Sequence, residues 1–155
     1  MPDNSVRVLR VLGAGVCISV LIPPVVFLAV GLGSGMGAEA WGALVDQYRT
    51  DRLNLGVLGA VGVIPFLALV VLLALHRRFA DPAPGRSMAV AGGVVIAALL
   101  VWAHATYWPS FLPDQVAPSW PHGIEFVVVP LFFAPVGAVV GMIAGYLLHR
   151  STNLS

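Results

Sequence analysis

Four long apolar runs, separated by short polar connections, dominate the sequence. They cover residues 6–33, 53–75, 88–108 and 124–149. Each run reaches or exceeds the roughly 20 residues that a helix needs to cross about 30 Å of hydrocarbon. The chain is 59% apolar and only 10% charged, whereas soluble domains are about a quarter charged. The sequence therefore predicts an all-α polytopic membrane protein, with residues 1–155 forming one domain of four transmembrane helices.

The first run could also be a cleaved signal peptide, because Arg7 and Arg10 precede its apolar stretch. That stretch continues without a charge from residue 11 to residue 33. The apolar region of a signal peptide has only about 7–15 residues. We therefore expect a retained helix.

The charges of the connections divide the chain into two sides. The N-terminus, the connection between the second and third runs, and the C-terminus together carry six Arg and two Asp, a net charge of +4. The other two connections carry two Arg and five acidic residues, a net charge of −3. Arg-rich loops stay in the cytoplasm. This pattern predicts a bacterial-type plasma (inner) membrane protein with both termini cytoplasmic.

The first outer connection predicts a short amphipathic helix at residues 38–49. Its apolar residues fall at helical spacing on one face, with the charged residues Glu39, Asp46 and Arg49 off that face. The apolar face consists of Ala38, Trp41, Leu44, Val45 and Tyr48. Such a helix lies in the membrane interface. A lid, a docking element and a simple connector all fit this pattern.

Small residues recur every fourth position on three of the runs. Because lipid gives helices no hydrophobic reason to associate, small residues favour association by allowing close backbone approach. The repeats therefore predict tight helix crossings, within one bundle or between protomers. They are Gly137, Gly141 and Gly145 in the fourth run, Ala89, Gly93 and Ala97 in the third, and Gly56 and Ala60 in the second.

Prolines interrupt three of the runs, at positions 23, 24, 65, 130 and 135. Each removes a backbone donor, and the freed carbonyls can line a path through a membrane. A small channel or transporter lined by the first and fourth helices is therefore an alternative. Against it, no Asp, Glu, Lys, Arg or His occurs at 11–30, 53–75 or 126–148, and ion-coupled carriers usually need such a group.

Four residues form a candidate metal site at the predicted outer end. His104 lies near the end of the third run, His122 and Glu125 open the fourth at i, i+3 spacing, and Asp114 lies between them. Imidazole and carboxylate ligands suit zinc, copper or iron. In the competing interpretation, His104 donates a hydrogen bond to a neighbouring helix, and Glu125 favours the positive end of its own helix.

Haem b is a further alternative to a chain without a cofactor. His76 and His149 end runs at one membrane face, while His104 and His122 flank the other, as a two-haem bundle would require. However, His76 and His149 adjoin Arg residues, whereas haem ligands face one another inside a bundle. The single cysteine, Cys17, excludes an internal disulfide and a CxxC redox pair.

Five aromatic residues are predicted to anchor the outer boundary at the headgroups: Trp41, Tyr48, Tyr107, Trp108 and Trp120. No glycine-rich phosphate loop, catalytic triad or nucleic-acid-binding patch occurs in the sequence. We therefore expect a non-enzymatic membrane protein whose partners are the lipid bilayer and other membrane subunits or itself, and not nucleic acid. It would act as a subunit or assembly partner of a larger complex, or as a homo-oligomer.

Overall fold

The computed structural model describes residues 2–50, 52–79, 83–111 and 124–152, and the side chains of 9–49, 57–77, 83–109, 124 and 126–152. These residues are helical apart from short turns, and no strand occurs among them. The helices are α1 (Pro2–Gly33), α2 (Glu39–Thr50), α3 (Arg52–Phe79), α4 (Gly85–Tyr107), α5 (Glu125–Val128) and α6 (Ala134–Thr152). A 3-10 turn, Trp108–Phe111, follows α4, and a π-helical turn, Val129–Phe133, joins α5 to α6.

In the part of the chain that the structure describes, four helical stretches are long and apolar enough to cross a membrane. They are Leu9–Gly33 in α1, Val57–Arg77 in α3, Gly85–Tyr107 in α4, and Phe126–Thr152 through α5 and α6. The predicted all-α class and the prediction of four long apolar helices are confirmed. The predicted spans differ from the observed helices mainly at their polar ends, where α3 continues to Phe79 and α6 to Thr152.

The four long helices pack around a shared apolar core, and α4 lies at its centre. The most extensive interface joins α4 to α6, and α4 also packs against α1 and α3. Within the described residues, α1 and α6 do not touch, so they lie on opposite sides of the α3–α4 pair. Leu69 of α3 and Ile96 of α4 have no exposed surface, and Phe66 and Leu100 extend the same cluster.

Helix α1 ends in a glycine-dependent turn that returns the chain toward the bundle. The backbone N–H of Met36 donates to the carbonyl of Gly31 (3.1 Å), and that of Gly35 donates to the carbonyl of Leu32 (3.1 Å). These two bonds form a Schellman motif, which needs a left-handed residue after the helix. Gly35 supplies it with φ of +85°, which a residue without a Cβ adopts at little cost.

Helix α2 follows this turn and packs against the ends of α1 and α3. Its buried side chains are Ala40 and Leu44, one helical turn apart, whereas Trp41 and Tyr48 are exposed. The sequence pattern placed Trp41, Leu44 and Tyr48 on one apolar face. Leu44 belongs to that face but Ala40 does not, so the side of α2 that packs on the bundle is rotated from the predicted face toward Ala40. The small side chain of Ala40 lets α2 lie close to Gly31, where an added Cβ would be 3.0 Å from Cβ of Ala40.

The π-helical turn at Val129–Phe133 contains Pro130 and ends two residues before Pro135. Proline has no N–H to donate, and its ring displaces the carbonyl one turn earlier. Here the N–H of Ala134 donates to the carbonyl of Val129, five residues back rather than four. This wider turn accommodates the prolines without ending the helix. Helices α1 and α3, in contrast, continue through their internal prolines as regular α-helix.

Candidate functional site

His104 lies in an aromatic cluster where α1, α4 and α5 meet. The cluster comprises Phe27, His104, Tyr107, Trp108 and Phe126. The imidazole ring stacks on Trp108 (centroids 6.0 Å apart, 15° between planes) and lies 4.6 Å from the ring of Phe126. Phe27 of α1 meets Trp108 edge-on at 5.2 Å. His104 is 5% exposed and is therefore enclosed largely by rings.

The surroundings of His104 are those of a packed side chain. Its Nδ1 atom is buried and has no hydrogen-bond partner among the residues that the structure describes. The part of the chain that the structure describes contains no group of three His, Cys, Asp or Glu side chains able to hold a metal ion. Asp114 and His122, the predicted co-ligands, lie outside the described residues, as does the side chain of Glu125. The four-residue metal site thus stays a prediction.

The other two histidines whose side chains are described, His76 and His149, lie at the opposite end of the bundle. His76 of α3 faces Tyr146 of α6, with ring centroids 6.4 Å apart. The guanidinium carbon of Arg150 lies 5.9 Å from the centre of the Tyr146 ring. Both His76 and His149 are half-buried. A haem-binding role for either residue likewise stays a prediction.

The glycine repeat of α6 forms a close seam with α4 inside the chain. A Cβ added at Gly141 would lie 2.7 Å from the carbonyl oxygen of Ala91, and one at Gly145 would collide with the carbonyl oxygen of Ser87. A Cβ at Gly137 would meet the side chain of Leu99 at 2.7 Å. Backbone therefore approaches backbone along most of the seam, which only glycine permits.

The other predicted small-residue repeats lie away from this seam. On α4, Gly92 faces α3 and α6, whereas a Cβ at Gly93 would meet no atom within 4 Å. Gly93 and its neighbours at i±4, Ala89 and Ala97, line a groove beside α1. On α3, Ala60 is exposed, and the side-chain surroundings of Gly56 lie outside the described residues. Gly62 contacts α1 instead, because a Cβ added there would lie 3.2 Å from the Cβ atom of Ser19.

The predicted interface anchors differ in how much surface they present. Trp41 is 63% exposed and Tyr48 is also exposed, so both rings present surface outside the bundle. Tyr107 is half-buried and contacts Phe126 at 4.2 Å. Trp108 is only 3% exposed, so it joins helices together and has little surface left for lipid. Trp120 lies outside the described residues.

Three arginines converge at one end of the bundle, and the sequence interpretation had used them only to orient the chain. Arg10 of α1, Arg77 of α3 and Arg86 of α4 line a single cavity of about 550 Å³. The sequence does indicate that these three arginines lie close together. Each arginine lies near the end of an apolar run, and the alternating directions of the helices place those three ends on the same side. The sequence does not show that α1 packs beside α4, and this packing brings Arg10 next to the other two arginines.

Comparison with known proteins adds no relative: no family model matches the chain, and no curated protein or solved structure is significantly similar to it. The fold and its sites are therefore interpreted from their own geometry.

Proposed function

We propose that this chain is a multi-pass integral membrane protein that acts without catalysis, as a subunit or assembly partner of a membrane complex or as a homo-oligomer. Both termini would face the cytoplasm of a bacterial-type cell, and α2 would lie at the outer interface with Trp41 and Tyr48 at the headgroups. The charge difference between the two sides of the chain supports this orientation.

The apolar exterior of the bundle supports insertion in a bilayer. Only 33–39% of the residues in each candidate span are buried inside the chain. Large apolar side chains are exposed along all four long helices, among them Val25, Val71, Val94 and Val140. Soluble monomers rarely expose continuous apolar patches above a few hundred square ångströms. Lipid tails would cover this surface at no cost in unsatisfied polar groups.

The filled apolar interior is the observation that carries the proposed mode of action. Leu69, Ile96 and Leu100 occupy the middle of the described bundle with almost no exposed surface. Ser19, a buried polar residue of α1, satisfies its hydroxyl locally by donating to the carbonyl of Gly15 at 2.8 Å. An interior filled in this way favours a packing protein that acts through its surface over one built around an axial path.

The channel and metal alternatives each need a feature that the described interior does not supply. A path would require polar groups between the helices, and the residues at mid-bundle are apolar. A metal site would require ligands around His104 other than the aromatic rings that enclose it. Flux of ions or small solutes through reconstituted liposomes would favour the channel.

The proposal is tested by extraction of the full chain from native membranes. The chain should stay in the membrane pellet after an alkaline carbonate wash. After solubilisation in mild detergent, its mass by native mass spectrometry should exceed the 16.2 kDa of one chain, with either copies of itself or a second protein. Release by carbonate would contradict membrane insertion, and a stable monomer without a protein partner would contradict the subunit role.

A further inference from the structure

The cavity lined by Arg10, Arg77 and Arg86 combines a strongly basic rim with an apolar floor. The floor is formed by side chains such as Val11, Val70 and Leu73. By sequence, this side of the chain carries six Arg against two Asp, a net charge of +4. Three guanidinium groups at one cavity attract an anion, and Arg binds phosphate through a planar pair of donors.

The first turn of α4 adds to the positive potential of this cavity. The helix begins at Gly85 after Pro84, and Pro84 makes no side-chain capping bond to it. The guanidinium of Arg77 lies against this turn, since a Cβ added at Gly85 would be 3.4 Å from its Nε atom. The N–H groups of a first helical turn and the helix dipole together favour an anion at a helix N-terminus.

A second, apolar groove continues from the basic cavity along α1 and α4. Arg10, Val11, Ala89 and Val90 line both, so the two are continuous. The groove has a volume of about 370 Å³ and extends past Ala14 and Gly93 as far as Ala97. From Gly85 to Ala97 the axis of α4 advances by about 18 Å, which is close to half of a hydrocarbon core of about 30 Å.

We propose that this combined groove binds an anionic phospholipid of the cytoplasmic leaflet. Its phosphate would lie between Arg10, Arg77 and Arg86, and one acyl chain would occupy the groove beside Gly93. Basic pockets between membrane helices on the cytoplasmic side bind such headgroups. A free phosphate would use the basic cavity alone, whereas the length and apolar lining of the continuous groove match an acyl chain within one leaflet. The inference rests on the proposed membrane insertion and orientation but not on the subunit role.

The first test is lipid binding by the purified full chain, measured by native mass spectrometry. Delipidated protein would be titrated with dioleoylphosphatidylglycerol, dioleoylphosphatidylcholine or inorganic phosphate. We expect one phosphatidylglycerol molecule to be retained at concentrations at which phosphatidylcholine and phosphate are not. Equal retention of the two lipids would overturn the proposal. Binding of phosphate without lipid preference would also overturn it, because the occupant would then be a soluble anion.

Substitutions of exposed arginines test the headgroup half of the groove separately from the acyl half. Arg86→Gln and Arg10→Gln should each weaken phosphatidylglycerol binding about fivefold, and together about thirtyfold, since each basic residue near an anionic headgroup contributes roughly a factor of five. Arg150→Gln is the matched control, because Arg150 lies at the same end but outside both cavities. Unchanged binding in the double variant would overturn the headgroup assignment.

The acyl groove is tested by filling it. Gly93→Leu places a side chain in space that is open in the structure, and Gly13→Leu does the same on α1 outside the groove. We expect Gly93→Leu to weaken phosphatidylglycerol binding at least tenfold and Gly13→Leu to leave it unchanged. Equal effects would overturn the acyl assignment, as would occupation of the groove by a partner protein's helix in place of lipid. Chain that resists carbonate extraction yet shows no lipid preference would refute this inference alone, leaving membrane insertion in place.

Discussion

At the scale of single residues, we expect opposite effects of the same substitution at two glycines, Gly145 of α6 and Gly93 of α4. Gly145 touches the backbone of Ser87, so Gly145→Ala should force α6 away from α4 and reduce the free energy of unfolding by about 1–3 kcal/mol. Gly93 has open space, so Gly93→Ala should be neutral or stabilise the helix by about 0.5–1 kcal/mol. Thermal unfolding in detergent, followed by circular dichroism, compares the two. Equal shifts would contradict the close α4–α6 seam.

His104 supplies a second residue-scale prediction, because its buried Nδ1 has no hydrogen-bond partner among the described residues. An unsatisfied buried polar atom costs about 1–3 kcal/mol, so His104→Phe should retain or raise the unfolding temperature. His104→Ala should lower stability by about 3–5 kcal/mol, since it leaves a large cavity between Trp108 and Phe126. Metal content of the purified variants is the control. Loss of bound zinc or copper in both variants would instead identify His104 as a ligand.

At the scale of helices, the turn between α1 and α2 contains two left-handed glycines, Gly35 and Gly37, and Gly35 forms the Schellman motif that ends α1. Gly35→Ala should destabilise the protein by about 1–2 kcal/mol, because a Cβ crowds the following carbonyl at φ of +85°. Gly33→Ala is the matched control, since Gly33 is helical and a Cβ there would meet no atom within 4 Å. Unfolding midpoints in denaturant measure both. A Gly35→Ala midpoint equal to that of Gly33→Ala would show that the turn tolerates a side chain.

Helix-scale features also show how far the sequence could predict this structure. Length and apolar character are local properties, so the four long helices followed directly from the sequence. The partner of each helix face is not local. Trp108 ends a span at a position typical of an interfacial anchor, yet Phe27 and His104 enclose it. Similarly, the repeat of Gly137, Gly141 and Gly145 predicts a close helix contact, but only the fold identifies α4 as the helix in contact with it.

At the scale of the whole molecule, the two sides of the chain differ in net charge, +4 against −3 by sequence. Three arginines from three helices share one cavity, and Glu39 and Asp46 lie on α2 at the other end. The contact between α1 and α4 brings Arg10 beside Arg86, and the close α4–α6 seam packs the fourth span against α4. The same packing that builds the core thus concentrates positive charge where a cytoplasmic leaflet would be. A chain inserted the other way would face its arginines to the exterior.

Orientation is therefore the prediction that belongs to the molecule as a whole. Cys17 is the only cysteine and is exposed on α1, so a Cys17→Ala background allows single cysteines to be placed at either end. Glu39→Cys and Ser151→Cys are a matched pair, because both positions are exposed at helix ends on opposite sides. Arg-rich ends stay in the cytoplasm, so a membrane-impermeant maleimide should label intact cells at position 39 and should label position 151 only after permeabilisation. The reverse pattern would invert the molecule and remove the arginine groove from the cytoplasmic leaflet, whereas labelling of both positions in intact cells would contradict a single orientation.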